Sequence, residues 1–256
     1  MPKQPYTRVV EAPTHILMTD LEEAFSYGVE LLAGVVTTRG RNGFQVAVGA
    51  YRGANIAIVL KPVGPSSTAI AIEELTRVGA RVVIELSSAY ALYPTLSIGD
   101  IIIASSAIKG DGVSKHYLPA EVPASADYAL IEHILRTFNA YNIEAKVGII
   151  WSTDVYYVNS EITDKMRVYH KIAQAMDLDT AALYTMSLLK KLTAASILVV
   201  EASQPKGIAR GVLLESEETE TKEKFMRSLE LATKATIEAL ALHYEMVKTE
   251  SRKPRG

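Results

Sequence analysis

Apolar runs and helical patterns alternate along most of the chain. Phe44 to Tyr51 and Asn55 to Leu60 alternate apolar and polar positions around Tyr51-Arg52-Gly53, which predicts a hairpin. Arg81 to Leu86, Asp100 to Ala104, Lys146 to Trp151 and Ser196 to Glu201 are short β-branched runs. Such runs suit interior strands covered on both faces. Between them, Ser67 to Val78, Asp127 to Tyr141, Thr163 to Gln174 and Thr180 to Leu192 read as helices. From Ser216 onward, Phe225, Leu229, Ala232, Leu240, Tyr244 and Val247 keep helical spacing. Glu215, Glu217, Glu218 and Glu220 crowd the start of that helix, as its dipole prefers. There is no internal repeat and no linker. One α/β domain over residues 1–256 is expected, with 1–11 a flexible N-terminal extension and 249–256 a flexible tail.

Composition narrows the function classes. Hydrophobic residues make up 48% and charged residues 22%, an ordinary globular balance. A formal net charge of -2, with basic residues clustered only in the final segment Ser251 to Arg255, excludes the footprint of a nucleic-acid binder. With no cysteine, disulfides, thiolate catalysis and zinc-thiolate sites are excluded. Asparagine and glutamine are scarce too, which points to a hot habitat. His15, His116, His133, His170 and His243 show no metal-ligand spacing, so neither metal nor cofactor is expected. No stretch has the length of a signal peptide or a membrane span, and a cytoplasmic protein is the expectation.

Several motifs, in order, carry a family resemblance. Pro65-Ser66-Ser67-Thr68-Ala69-Ile70-Ala71-Ile72-Glu73-Glu74-Leu75 resembles a glycine-rich turn entering an "IAxEEL" helix. Gly79-Ala80-Arg81 and Ile98-Gly99-Asp100-Ile101-Ile102-Ile103 frame a central loop. Trp151-Ser152-Thr153-Asp154-Val155-Tyr156-Tyr157 is similar to an "SSDxFY" segment, and Ala175 to Leu183 to "VEMExAxL". Together they resemble the purine nucleoside and uridine phosphorylase family, from about Leu17 to about Lys206. The resemblance implies a single-domain nucleoside phosphorylase-like fold, a central mixed β-sheet flanked by helices. It also implies a nucleoside or related small molecule as ligand, and a homo-oligomer, a hexamer built as a trimer of dimers.

Carried over residue by residue, the family's phosphate site is altered. The "GDPxR" turn corresponds to Thr19-Asp20-Leu21-Glu22-Glu23, so Glu23 stands for an arginine. The "RxGTTGA" loop corresponds to Glu85-Leu86-Ser87-Ser88-Ala89-Tyr90-Ala91, so Glu85 stands for a second, and only the hydroxyl of Ser88 keeps its type. The third, lent by a neighbouring subunit, falls at Asn42 beside Arg41. Arginine suits phosphate because its planar fork donates two parallel hydrogen bonds and stays charged. A carboxylate about 4 Å from a phosphate charge costs roughly 4 kcal/mol at an effective dielectric near 20.

The base and sugar positions differ as well. Pro62-Val63-Gly64-Pro65 replaces a glycine turn, and a Tyr90 ring pointing inward would fill the space for the nucleobase. The "SDN" triplet, whose aspartate protonates a purine leaving group, corresponds to Glu201-Ala202-Ser203. Adjacent strand side chains face opposite ways, so Glu201 substitutes for Ala202 only if the strand shifts register or bulges. Asp179 takes the place of the glutamate that bridges the ribose hydroxyls, and Asp177 the acid before it, with Leu178 between. Tyr156 and Tyr157 keep the aromatic pair of the base pocket. Glu85 lies in an apolar strand and requires a partner, with Arg81, Lys61 or a neighbouring subunit available.

Three functions remain open. The first is a family member without ordinary phosphorolytic activity, a non-catalytic homologue that binds a ligand or pairs with an active paralogue. The second is a nucleosidase with Glu85 as general base, Tyr90 or Ser203 meeting the base. The third is an active phosphorylase whose phosphate ligands come from Arg41, Lys61 or Lys206.

Overall fold

Residues 2–211, 213 and 219–251 are described in the computed structural model. The first half of the chain runs β1 (His15–Thr19), α1 (Glu22–Leu31), β2 (Ala33–Arg39), β3 (Gln45–Tyr51), β4 (Ala54–Leu60), α2 (Pro65–Arg77) and β5 (Val82–Ala91). Next come β6 (Ile101–Lys109), α3 (Gly112–Tyr117), β7 (Ala124–Ser125), α4 (Tyr128–Ala140) and β8 (Ala145–Ser152). The chain then forms α5 (Ser160–Tyr169), β9 (Ala175–Asp177), α6 (Thr180–Lys190), β10 (Thr193–Ser203) and α7 (Glu220–Ser251).

The strands make one mixed sheet in the order β10-β6-β8-β9-β5-β1-β4-β3-β2, with β7 attached to β6. β10 also pairs with β5, so β5, β10, β6, β8 and β9 close a ring. β1 lies parallel between β4 and β5, and β10 runs parallel to β5. These central strands are buried along nearly their whole length, as their continuous apolar runs require. Helices α1, α4 and α7 pack as one group and α2, α3 and α6 as another.

The predicted hairpin forms as β3 and β4 around Arg52 and Gly53, both at positive φ. Three expectations shift. β5 continues beyond Leu86 through Ser87, Ser88 and Tyr90, because β10 and β9 supply ladder partners along its length. The segment matched to a phosphate loop is therefore a strand. β8 is not covered on both faces: Val147 and Ile149 are exposed. α5 starts at Ser160, where the Asn159 side chain caps it by accepting from the Ile162 N–H, and ends before Gln174. The chain there must turn back to enter β9.

The termini differ from expectation too. Residues 2–11 are fastened rather than loose, since Glu74 accepts hydrogen bonds from the Tyr6 N–H (2.9 Å), Thr7 N–H (2.7 Å) and Thr7 hydroxyl (2.8 Å). Nearby, Gly79 at φ 132° passes so close to the Ala12 carbonyl that a Cβ would lie 2.5 Å from it. At the other end, Thr249 to Ser251 continue α7, and the rest of the tail expected from 249 lies outside the described residues. The predicted start of that helix at Ser216, with Glu215, Glu217 and Glu218, lies outside the described residues. Phe225, Leu229, Ala232 and Leu240 are buried as their spacing predicts, Tyr244 is partly so, and Val247 faces outward.

Candidate functional site

Strands β1, β4, β5, β9 and β10 end near one another, and a cavity of about 350 Å³ opens where they do. Ligands in open α/β sheets bind at such carboxyl ends. Asp20 and Leu21 come from the turn after β1, Ser87 and Ser88 from β5, and Val63 from the turn after β4. Tyr156 and Tyr157 follow β8, Leu178 follows β9, Glu201 lies on β10, and Arg210 and Gly211 lie beyond it. Gly64, at φ 104°, caps α2 and lets Pro65 take its first position, which sets Val63 at the mouth.

A bulge decides which β10 side chain faces this space. Val200 pairs with Ala89 and Ala202 with Tyr90, so Glu201 is the extra residue. That is the condition under which Glu201 can stand in for Ala202. Ala202 instead packs with Tyr90, Leu92, Trp151 and Met176 in a second apolar cluster. The Glu201 carboxyl is buried, and burial raises its pKa against the opposing pull of Arg210, whose Nε lies 3.6 Å away. Arg210 is itself buried. Its Nη2 donates to the Met176 carbonyl at 3.0 Å, while Nε and Nη1 have no hydrogen-bond partner. Its guanidinium stands 5.1 Å from the Tyr156 ring centre and 6.0 Å from that of Tyr90.

Beneath the cavity lies a sealed layer of charge. Lys61 is fully buried, bonded to Asp179 and 3.3 Å from Glu85. The Thr68 hydroxyl donates to Asp179 at 3.1 Å. Burial opposes the Lys61 charge, but Asp179, Asp20 and Glu85 outweigh it and raise its pKa. Burial, reinforced by Asp179, pushes the Glu85 carboxyl well up, against the opposing pull of Lys61. Asp177 is raised to about 6, first by burial and then by Asp179, and holds the Ser152 hydroxyl and the Thr180 N–H. Glu85 thus finds the partner its strand demanded, and it is Lys61. Arg81 is exposed and donates to the Thr76 and Ala80 carbonyls.

Of the residues singled out in the sequence, Ser88, Tyr156, Tyr157, Leu178 and Glu201 meet at the cavity. Glu85, Asp177 and Asp179 lie below it. Asp179 does not line the cavity, and its side chain is bonded to Lys61. Tyr90 does not fill the cavity either; it is buried behind, beside Arg210. Ser203 is buried, its hydroxyl has no hydrogen-bond partner, and it is not in the lining. Glu23 is half-buried in the first turn of α1 and Asn42 is exposed between β2 and β3; neither lines the cavity. Among the candidate cations, Lys61 is sealed, Lys206 bonds the Ser97 hydroxyl at 2.6 Å, and Arg41 is exposed outside the site. Among the described residues no group of three or more acidic or histidine side chains is arranged to hold a metal. Arg210 and Asp20 were missed. The signal for Arg210 was the buried acid on β10, which needed a cation.

A family model described as the phosphorylase superfamily matches residues 14–241. The chain belongs to that superfamily. It is 30% identical over 173 residues to the uridine phosphorylase of Thermococcus kodakarensis, a match spanning 63% of this chain and 62% of that protein's length. It is 28% identical over 198 residues to the guanosine phosphorylase of Halorubrum lacusprofundi, covering 77% and 80% of the two chains. A crystal structure of uridine phosphorylase from Vibrio fischeri superposes with a TM-score of 0.84 at 27% identity, covering 94% of this chain and 98% of the other. Purine nucleoside phosphorylase from Toxoplasma gondii shares the fold, with a TM-score of 0.83 at 20% identity over 94% and 98%. The chain therefore has the superfamily's fold. No helix among the described residues is long and apolar enough to cross a membrane.

Proposed function

We propose that this superfamily member binds a nucleoside in the cavity and does not carry out phosphorolysis there. One observation carries this reading: among the described residues the one cation in the lining, Arg210, faces Glu201, while Asp20 stands beside Ser87 and Ser88. Phosphate entering beside those serines meets the Asp20 carboxyl, and a close carboxylate costs roughly 4 kcal/mol. A nucleobase meets better partners. Tyr156 and Tyr157 offer ring faces, and the paired Glu201 and Arg210 give the wall a polar side.

The test is a nucleoside panel with and without phosphate, read by calorimetry and by chromatography of released base. Binding without phosphate-dependent release is the expected result. Phosphate-dependent release would instead establish an active phosphorylase with ligands supplied from outside this copy. A hydrolytic reading gains from Glu201, whose raised pKa suits a proton donor to a leaving base. Release without phosphate, abolished by Glu201→Gln, would favour it. Glu85 does not support the role of general base, being sealed below the cavity against Lys61. A role as partner of an active paralogue is tested by mixing the two chains and measuring the paralogue's turnover.

A further inference from the structure

We propose that Asp20 selects the ligand, gripping the sugar hydroxyls of an unphosphorylated nucleoside and turning away sugars phosphorylated there. The inference rests on the reading that a nucleoside occupies the cavity.

The resemblance assigns sugar hydroxyls to Asp179, but that carboxylate is 1% exposed and holds Lys61 and Thr68. It is absent from the cavity wall. The wall carries two carboxylates, Asp20 and Glu201, and Glu201 is matched by Arg210. Asp20 forms no ion pair among the described residues, because the neighbouring ammonium of Lys61 is bonded to Asp179 and paired with Glu85 at 3.3 Å instead. Its position is fixed from both sides. Thr19, just before it, pairs in register with Leu60 of β4 and Leu86 of β5, so Asp20 emerges at the centre of the sheet. The Ser87 hydroxyl donates to Asp20 Oδ1 at 2.7 Å, and the Leu21 N–H donates to Thr19 Oγ1 at 3.1 Å, which holds the turn. Oδ2 has no side-chain donor among the described residues.

A carboxylate held this way accepts hydrogen bonds and donates none. Hydroxyls complement it, and a pair of adjacent hydroxyls can meet it with two bonds. A phosphate ester offers acceptors and negative charge, so both its hydrogen bonding and its Coulomb term fail against Asp20. Asp179 and Asp20 thus stand in different places, one bonded to Lys61 and the other at the cavity wall. With Lys61 in place below the site, Asp179 is recruited inward and the aspartate after β1 is left facing the ligand.

The experiment is calorimetric titration of wild type and Asp20→Asn with adenosine and uridine, their 2′,3′-dideoxy analogues and their 3′-monophosphates. The nucleosides should bind wild type, and the 3′-monophosphates at least about a hundredfold more weakly, as loss of charge-assisted bonds plus repulsion implies. Asp20→Asn should weaken nucleoside binding by about tenfold or more and leave the dideoxy analogues unchanged. Equal binding of nucleoside and dideoxy analogue by wild type overturns the role of Asp20 while the nucleoside reading stands. So does a folded Asp20→Asn protein that binds the nucleosides undiminished, or tight binding of the 3′-monophosphates. Failure of wild type to bind any nucleoside overturns both readings. The wild-type comparison of nucleoside with dideoxy analogue decides the matter even if Asp20→Asn does not fold.

Discussion

Lys61 is the residue on which the site's chemistry turns. A fully buried ammonium is tolerated only with carboxylates around it, and Asp179 and Glu85 supply them. Removing the cation leaves uncompensated charge, so Lys61→Met should destabilise the fold by about 3–5 kcal/mol in urea or guanidinium unfolding. Glu85→Gln should behave differently. Burial raises the Glu85 pKa and so disfavours its charged form, and a neutral isostere should leave the unfolding midpoint at neutral pH level or higher. A large loss there would show that Glu85 is ionised and paired. In the sequence, Glu85 was legible as a buried acid needing a partner, since charge inside an apolar strand admits little else. Its partner was not, because Lys61 lies on another strand and its direction depends on packing.

Among the elements, β1, α4 and α7 meet in a histidine cluster remote from the cavity. His15 Nε2 lies 3.0 Å from His243 Nδ1, and the rings of His133 and His243 are 5.5 Å apart. Burial and the neighbouring His243 lower the pKa of His15 from 6.5 to about 4, and burial with His133 lowers that of His243. The unfolded chain therefore binds protons that the folded one refuses between about pH 6.5 and 4. Stability should fall as pH drops through that window and be level above it. Denaturant titrations across pH should show the slope, and His15→Gln should flatten it. Scattered in sequence, these histidines gave no sign of meeting; only the docking of α7 across β1 joins them. The β10 bulge is of the same kind. One-residue slips reverse the faces of a strand, and the slip here arises in pairing with β5.

At the scale of the whole molecule, the alternating apolar and helical patterns were enough to give an α/β fold. They also placed the hairpin and most helices within a few residues. The proposed homo-oligomer, a hexamer assembled as a trimer of dimers, belongs to this scale; light scattering should give a mass near six times 27.9 kDa, and a monomer would refute it. A nucleoside bound in the cavity should raise the melting temperature with concentration, since it stabilises the folded state alone. The sequence by itself determined the order of elements, the interior strands and the need of Glu85 for a partner, because periodicity and residue chemistry are local properties. Only the tertiary structure decided which carboxylates face a ligand. Glu201 turns in at a bulge, Asp179 withdraws onto Lys61 and Asp20 remains at the wall. Each outcome depends on charges and strand ends that meet across long stretches of chain.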